Sequence, residues 1–156
     1  RNTMTTESSS NYITENIPPT ILDKLEAGAF RSLCSHLKER SDEVQNIDLM
    51  TVSGFCRNCL AKWMVIEARK ISQTENEISI RKALNSLGYD EAAQYIYGCD
   101  YDVWKKEHSK KATEEQMEKY NQSTPIHSVF DKEILKKKVE EFKFTEKKLD
   151  LRSNVC

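Results

Sequence analysis

Apolar residues recur along most of this chain at the three- and four-residue spacing of helices, not at the alternating spacing of strands. Leu22, Leu25, Ala29, Leu33 and Leu37, flanked by Phe30 and Cys34, predict an amphipathic helix. It starts after Pro18-Pro19, at about Thr20, and runs to about Arg40. A central helix is predicted from Leu49 to Lys70, led in by Gln45-Asn46-Ile47-Asp48 with Asp48 as N-cap, where its carboxylate meets free N–H groups and the positive helix end. On this helix Val52, Cys56, Cys59, Leu60, Trp63 and Ile66 share one broad face, while Arg57, Asn58, Lys62 and Arg69 fall opposite. Gly54 sits one turn in, where Gly costs about 1 kcal/mol against Ala, and so marks a close approach.

Further on, Thr74 and Glu77 form the ends of a capping box for a helix carrying Ile78, Ile80, Ala83, Leu84 and Leu87, ended by Gly88. Asp90 is placed to cap a short helix with Ala92, Ala93, Ile96 and Tyr97, closed by Gly98, and Asp100 to cap another with Val103 and Trp104. Tyr95, Tyr97, Tyr101 and Trp104 are expected to pack the far side of the core. Thr113 with Gln116 opens a helix through Tyr120, which Thr124-Pro125 ends. Asp131 caps a charged helix from Lys132 to about Lys143 with Ile134, Leu135, Val139 and Phe142 on its stripe. The expected fold is all-α, a single domain of about six helices. Residues 1–17, rich in Ser, Thr and Asn, read as a disordered tail, 18–128 as the helical domain and 129–156 as a helical extension.

Composition narrows the function classes. The 156 residues suit one domain, and only 4 Gly and 3 Pro disfavour a turn-rich β fold. With 24 basic and 25 acidic residues the net charge is −1, which argues against nucleic acid as a partner. The run Lys105, Lys106, Lys110 and Lys111, interleaved with Glu107, reads as a solvated face. No stretch approaches the ~20 apolar residues of a membrane span. Five cysteines, an odd number without framework spacing, point to free thiols in an intracellular reducing compartment, cytoplasm or organellar matrix. An Arg start fits an excerpt of a longer chain, an added remnant or a processed form, and a removed organellar presequence, mitochondrial among them, would explain it.

Candidate chemistry gathers in the central stretch. Cys56 and Cys59 form the one Cys-x-x-Cys pair. They admit three readings: packed small hydrophobes, ligands of zinc or another transition metal, or a redox pair. A structural zinc site needs four ligands, so His36 and His127 are the candidates to complete a set. Gln45 and Asn46 either fix the loop by bonding backbone or line a pocket mouth beside Arg57, whose charge suits an anion. Asp48 and Trp63 bound the same stretch and join this candidate site. Neither a phosphate-cradling Gly loop nor a Ser-His-Asp grammar is present. The leading expectation is a small helical binding or assembly module, acting with a protein partner or as a homo-oligomer. The alternative is a metal or thiol-redox site on Cys56 and Cys59.

Gln45-Asn46-Ile47-Asp48-Leu49-Met50, then Gly54-Phe55-Cys56-Arg57-Asn58-Cys59-Leu60 and Lys62-Trp63, resemble the signature of small, mostly bacterial proteins grouped as domain-of-unknown-function family 1244. The likeness extends from the Phe30–Arg40 run through Tyr97-Gly98 and Tyr101-x-x-Trp104-Lys105 towards Thr113 and Pro125-x-His127, roughly residues 29 to 127. The loop Ser41–Val44 is one residue longer than the family pattern, and Gln73–Leu87 is expanded. The resemblance implies a small all-helical fold and no established activity.

Overall fold

Pro18 and Pro19 separate two helices in the computed structural model, which describes residues 12–132 and 135. Before them α1 (Tyr12–Asn16) makes one turn where a disordered tail was expected. After them α2 (Pro19–Glu39) uses the fixed φ of Pro19 in its first turn. Then come α3 (Asn46–Ser53), α4 (Arg57–Thr74), α5 (Ile78–Ser86), α6 (Tyr89–Tyr97), α7 (Tyr101–His108) and α8 (Glu114–Gln122), followed by a 3₁₀ turn at Thr124–Ile126. The described residues are all-helical apart from their connections. Of the expected C-terminal helix, Lys132 and Leu135 are described as helical, and Leu135 packs against the core. Its stripe residues Ile134, Val139 and Phe142, and the rest of the N-terminal tail, lie outside the described residues.

The helix α4 packs against α5 and α6, α6 also meets α2 and α7, and α3 meets α8. The core joins Cys34 and Leu37 of α2, Leu60, Ala61 and Val65 of α4, Ala92, Ala93, Ile96 and Tyr97 of α6, and Trp104 of α7. The alanines let α4 and α6 approach closely, and the aromatic group Tyr97, Tyr101 and Trp104 closes one end, with Tyr97 and Trp104 ring centroids 4.7 Å apart. Tyr95, expected with them, is instead exposed.

The expected central helix is two helices. Gly54 ends α3 in the left-handed conformation at φ 73°, and Phe55 and Cys56 are extended or irregular before α4 begins at Arg57. Gly54 is required twice over. Its φ disfavours any side chain, and a Cβ there would run into the carbonyl oxygen of Ile126. The segment after the 3₁₀ turn folds back here, with Ser128 N donating to Gly54 O at 2.7 Å. Phe130 beyond it packs against Trp63 with the rings tilted by 43°, and Trp63 also meets Phe55.

The break shifts the phase of α4. Its buried stripe is Arg57, Leu60, Ala61, Val65, Ala68, Arg69 and Ser72, so both arginines face inward and Trp63 is half-exposed. Their guanidinium groups explain this reversal. Arg69 donates to Leu84 O at 2.6 Å and Leu87 O at 2.8 Å, at the C-terminal end of α5. Arg57 donates to Leu37 O at 2.7 Å, near the end of α2, and to Val44 O at 2.9 Å. Each therefore satisfies orphan carbonyls of a neighbouring helix end and sits at its negative pole.

Other caps differ from expectation in the same local way. Asp48 is the third residue of α3, not its cap. Its Oδ2 accepts from Gln45 N at 3.0 Å, so Gln45 occupies the cap position. Helix α4 runs on through Thr74, with Thr74 Oγ1 bonded back to Ile71 O, so no capping box forms at Thr74. Gly88 precedes α6 instead of closing α5, and Glu91, not Asp90, bonds the Gly88 N–H. Asp100, Gly98 and the Thr113–Gln116 box stand as expected.

Candidate functional site

The residues Gln45, Asn46 and Asp48 each reach a different element. Gln45 Nε2 donates to His108 O at 3.0 Å and Ser41 O at 3.3 Å, and its Oε1 accepts from Lys110 N at 3.0 Å. That pins the loop after α2 to the end of α7. Trp104 Nε1 adds a bond to Ser41 Oγ at 3.0 Å. Asp48 Oδ1 accepts from Gln116 Nε2 at 2.8 Å, tying α3 to α8. Asn46 faces inward, where its Nδ2 donates to the Tyr97 hydroxyl at 2.8 Å.

From that hydroxyl a polar network crosses the core. Tyr97 and Tyr89 both donate to Asn58 Oδ1, at 2.7 and 2.8 Å. Arg57 Nη1 reaches Asn46 Oδ1 at 3.4 Å. Burial pushes both tyrosine hydroxyls well above the ordinary range. They stay neutral and act as hydrogen-bond donors. Arg57 is 1% exposed, pairs with no acidic side chain among the described residues, and leaves Nε unbonded. Burial lowers its pKa, while nearby Tyr97 and Cys56 oppose that. It is a structural cation turned inward, so it does not present an anion site at a pocket mouth.

The two sulfurs lie beside this network. Cys56 is the N-cap residue of α4 and Cys59 its third, so the pair brackets the first turn. Their Sγ atoms stand 3.9 Å apart, and the side chains are 5% and 4% exposed. Cys59 Sγ is also 3.8 Å from Met50 Sδ. The Cys56 thiol donates toward Cys59, which lowers Cys59 to about 6. Burial opposes this, and the Cys56 backbone N–H and the Lys62 charge assist it. Cys56 is pushed up as the partner that keeps its proton, with burial adding to that. The pair thus shares one proton across a helix start.

The expected ligand set is not assembled. Among the described residues no three His, Cys, Asp or Glu side chains stand together as a metal group. His36 is exposed on α2, whereas its neighbours Cys34 and Leu37 turn into the core. His127 Nε2 is bonded to Ser123 Oγ at 2.9 Å, and its ring packs at a tilt against Tyr120, centroids 4.7 Å apart. Two sulfurs alone supply half of a structural zinc shell. The four described cysteines, Cys34, Cys56, Cys59 and Cys99, are free thiols.

The surface holds what sequence reading missed. Along α2, Phe30, Cys34 and Leu37 form the face that packs on the core. Ile21, Leu25 and Leu33, 44%, 52% and 37% exposed, lie on an adjoining apolar strip with half-buried Leu22 and exposed Ala29. At about 100° per residue these positions continue the core-facing arc, Leu33 standing about 40° from Leu37, so one broad apolar stripe is buried along one edge and exposed along the other. A shallow groove elsewhere, lined by Ala112, Glu114, Met117 and Asn121, lies on the α8 side and touches none of the residues above.

A family model described as "Protein of unknown function (DUF1244)" matches residues 44–122. This span takes in Gln45, Asn46, Asp48, the sulfur pair and both network tyrosines, and leaves the whole of α2 outside. No curated protein matches the chain.

Proposed function

Because the chain belongs to the DUF1244 family of proteins of unknown function, we propose its role from geometry: a small helical binding or assembly module that works through the outer strip of α2. The observation that carries this reading is the exposure of Ile21, Leu25 and Leu33 on one helix whose adjoining face is already anchored in the core. Full burial of each such side chain is worth about 1.5–3 kcal/mol, so a strip of them favours being covered. The central signature residues support the same reading from the other side. Gln45, Asn46, Asp48 and Arg57 all spend their polar groups on holding helices together, which gives α2 a rigid base. Photo-crosslinking tests the reading. Benzoylphenylalanine at position 25 of the full chain gives a covalent adduct, and the same probe at exposed Lys105 gives none. Equal labelling at both sites, or none at 25, rejects it.

One distance favours a second reading, a dithiol that cycles with a disulfide. Closing the Cys56–Cys59 gap from 3.9 Å to the ~2.05 Å of a bond needs only side-chain rotation and a small shift of the helix start. In that exchange the Cys59 thiolate attacks a small-molecule disulfide, and Cys56 then displaces the second thiol. The protein loses two electrons and two protons, and the small disulfide is reduced to two thiols. Incubation with oxidised dithiothreitol then yields protein lighter by two hydrogens with both cysteines protected from alkylation. Unchanged mass in the presence of excess oxidant rejects it.

A further inference from the structure

The geometry points to a soft-metal site of three sulfurs, in which Cys56, Cys59 and Met50 hold one copper(I) ion. This inference stands apart from both readings above and takes the cysteine pair in its reduced form.

The third sulfur is the observation that carries it. Cys59 Sγ lies 3.9 Å from Cys56 Sγ and 3.8 Å from Met50 Sδ. Sulfurs bonded to one ion at about 2.3 Å stand about 3.8–4.0 Å apart, whether the shell is tetrahedral or flat and trigonal. Both edges that meet at Cys59 have that length, so little side-chain movement is needed to receive an ion.

Gly54 creates this approach. On one unbroken helix Met50 and Cys59, nine residues apart, would point about 180° from each other. The left-handed residue Gly54, at φ 73°, ends α3 instead, and α4 starts in a new direction at Arg57. The Gly54 N–H donates to Met50 O at 3.0 Å, so Met50 belongs to the turn that the glycine closes. Its thioether then meets the first turn of α4.

Ligand chemistry selects the ion. Thiolate and thioether are soft donors that suit copper(I). Zinc takes its four ligands from Cys, His, Asp and Glu, and among the described residues no third side chain of those types joins the pair. The thioether completes a shell for copper(I) and not for zinc.

Charge points the same way. Both cysteines bind as thiolates and release their protons to solvent, which leaves the copper(I) site with one negative charge. It lies at the positive end of α4, within electrostatic reach of Arg57 and Lys62. Arg57 is buried and pairs with no acidic side chain among the described residues. Cys56 and Cys59 are buried and Met50 is half-buried, so an ion reaches the thiols past the pliable thioether.

Competition with bicinchoninate, whose copper(I) complex is coloured, is the test, run on the reduced full chain without oxygen and with ascorbate present. The wild type is expected to withdraw one equivalent of copper(I). Met50→Leu, close to Met in volume, is expected to hold it at least tenfold more weakly, and Cys59→Ser to lose it. Far-ultraviolet circular dichroism shows that each variant is folded. X-ray absorption at the copper edge of the loaded wild type is expected to count three sulfurs, and it decides the matter even if Met50→Leu does not fold. No withdrawal by the wild type, equal affinity in Met50→Leu, or copper on two sulfurs overturns the inference. An equivalent that survives Cys59→Ser also overturns it, since the ion then sits on other thiols.

Discussion

The guanidinium of Arg57 lies 5.4 Å from the centre of the Trp104 ring, while its Nη atoms bond Leu37 O and Val44 O. A cation is thus held in the core by an aromatic face and two carbonyls, with no carboxylate beside it among the described residues. Arg suits this because its planar fork serves two acceptors while its face stacks, which a compact ammonium cannot do. Arg57→Ala leaves both carbonyls unpaired and is expected to cost about 3–5 kcal/mol of stability. Arg57→Lys, keeping charge but losing the fork, should cost about 2–3 kcal/mol. Urea unfolding followed by tryptophan fluorescence measures both, and a lysine variant as stable as wild type would show that charge alone matters.

The two tyrosines on Asn58 are not equivalent. Tyr97 both donates to Asn58 and accepts from Asn46, whereas Tyr89 only donates. Tyr97→Phe strands the Asn46 amide and is expected to cost about 2 kcal/mol, against about 1 kcal/mol for Tyr89→Phe, which leaves Asn58 still bonded to Tyr97. Denaturant midpoints at constant slope give the order, and the reverse order refutes it.

Gly54 holds the strap as well as the helix end. Gly54→Ala forces a side chain onto a left-handed residue and against the Ile126 carbonyl. The expected loss is about 2 kcal/mol or more. Hydrogen exchange adds a local sign: the Ser128 amide, bonded to Gly54 O, should exchange faster in the variant than any amide of α6.

The sulfur pair makes stability depend on pH in a defined window. Cys59 is lowered to about 6 in the fold from the ordinary 9.0. The unfolded chain therefore binds more protons between those values, and stability from this group rises as pH rises from about 6 to 9.0. It is fully present above 9.0 and lost as pH falls through about 6. Cys56 is raised, so its contribution is complete below 9.0 and declines above it. Urea midpoints under reducing conditions should thus climb to near pH 9 and then fall. Cys59→Ser should remove the climb. A variant with the wild-type profile would assign the pH dependence elsewhere.

Several features were legible because they are local. The Asp100 cap, the Thr113–Gln116 box, the Gly98 stop and the inward alanines of α6 follow from contacts within one turn or from helical spacing. Asp48 misled because a carboxylate can serve as cap or as third residue of a box, and the difference lies in which backbone N–H it meets. Arg57 and Arg69 misled more deeply. Polarity places arginine on a solvated face unless a neighbouring helix end offers carbonyls, and those carbonyls come from Leu37 and Leu87, 20 and 18 residues away. His36 and His127 were matched to the cysteines by residue type, but packing turns one outward and binds the other to Ser123.

Periodicity and caps alone determine that this chain is all-helical, where most of its helices stop, and that the Gln45–Trp63 stretch lies at its centre, since these depend on residues within a few positions of one another. Only tertiary structure decides that this stretch breaks at Gly54, that two arginines enter the core, and that α2 buries one edge of its apolar stripe while exposing the other. Those outcomes depend on which distant backbone groups and side chains arrive at the same place, and hydrophobic spacing along a helix shows that a face is apolar without showing what covers it.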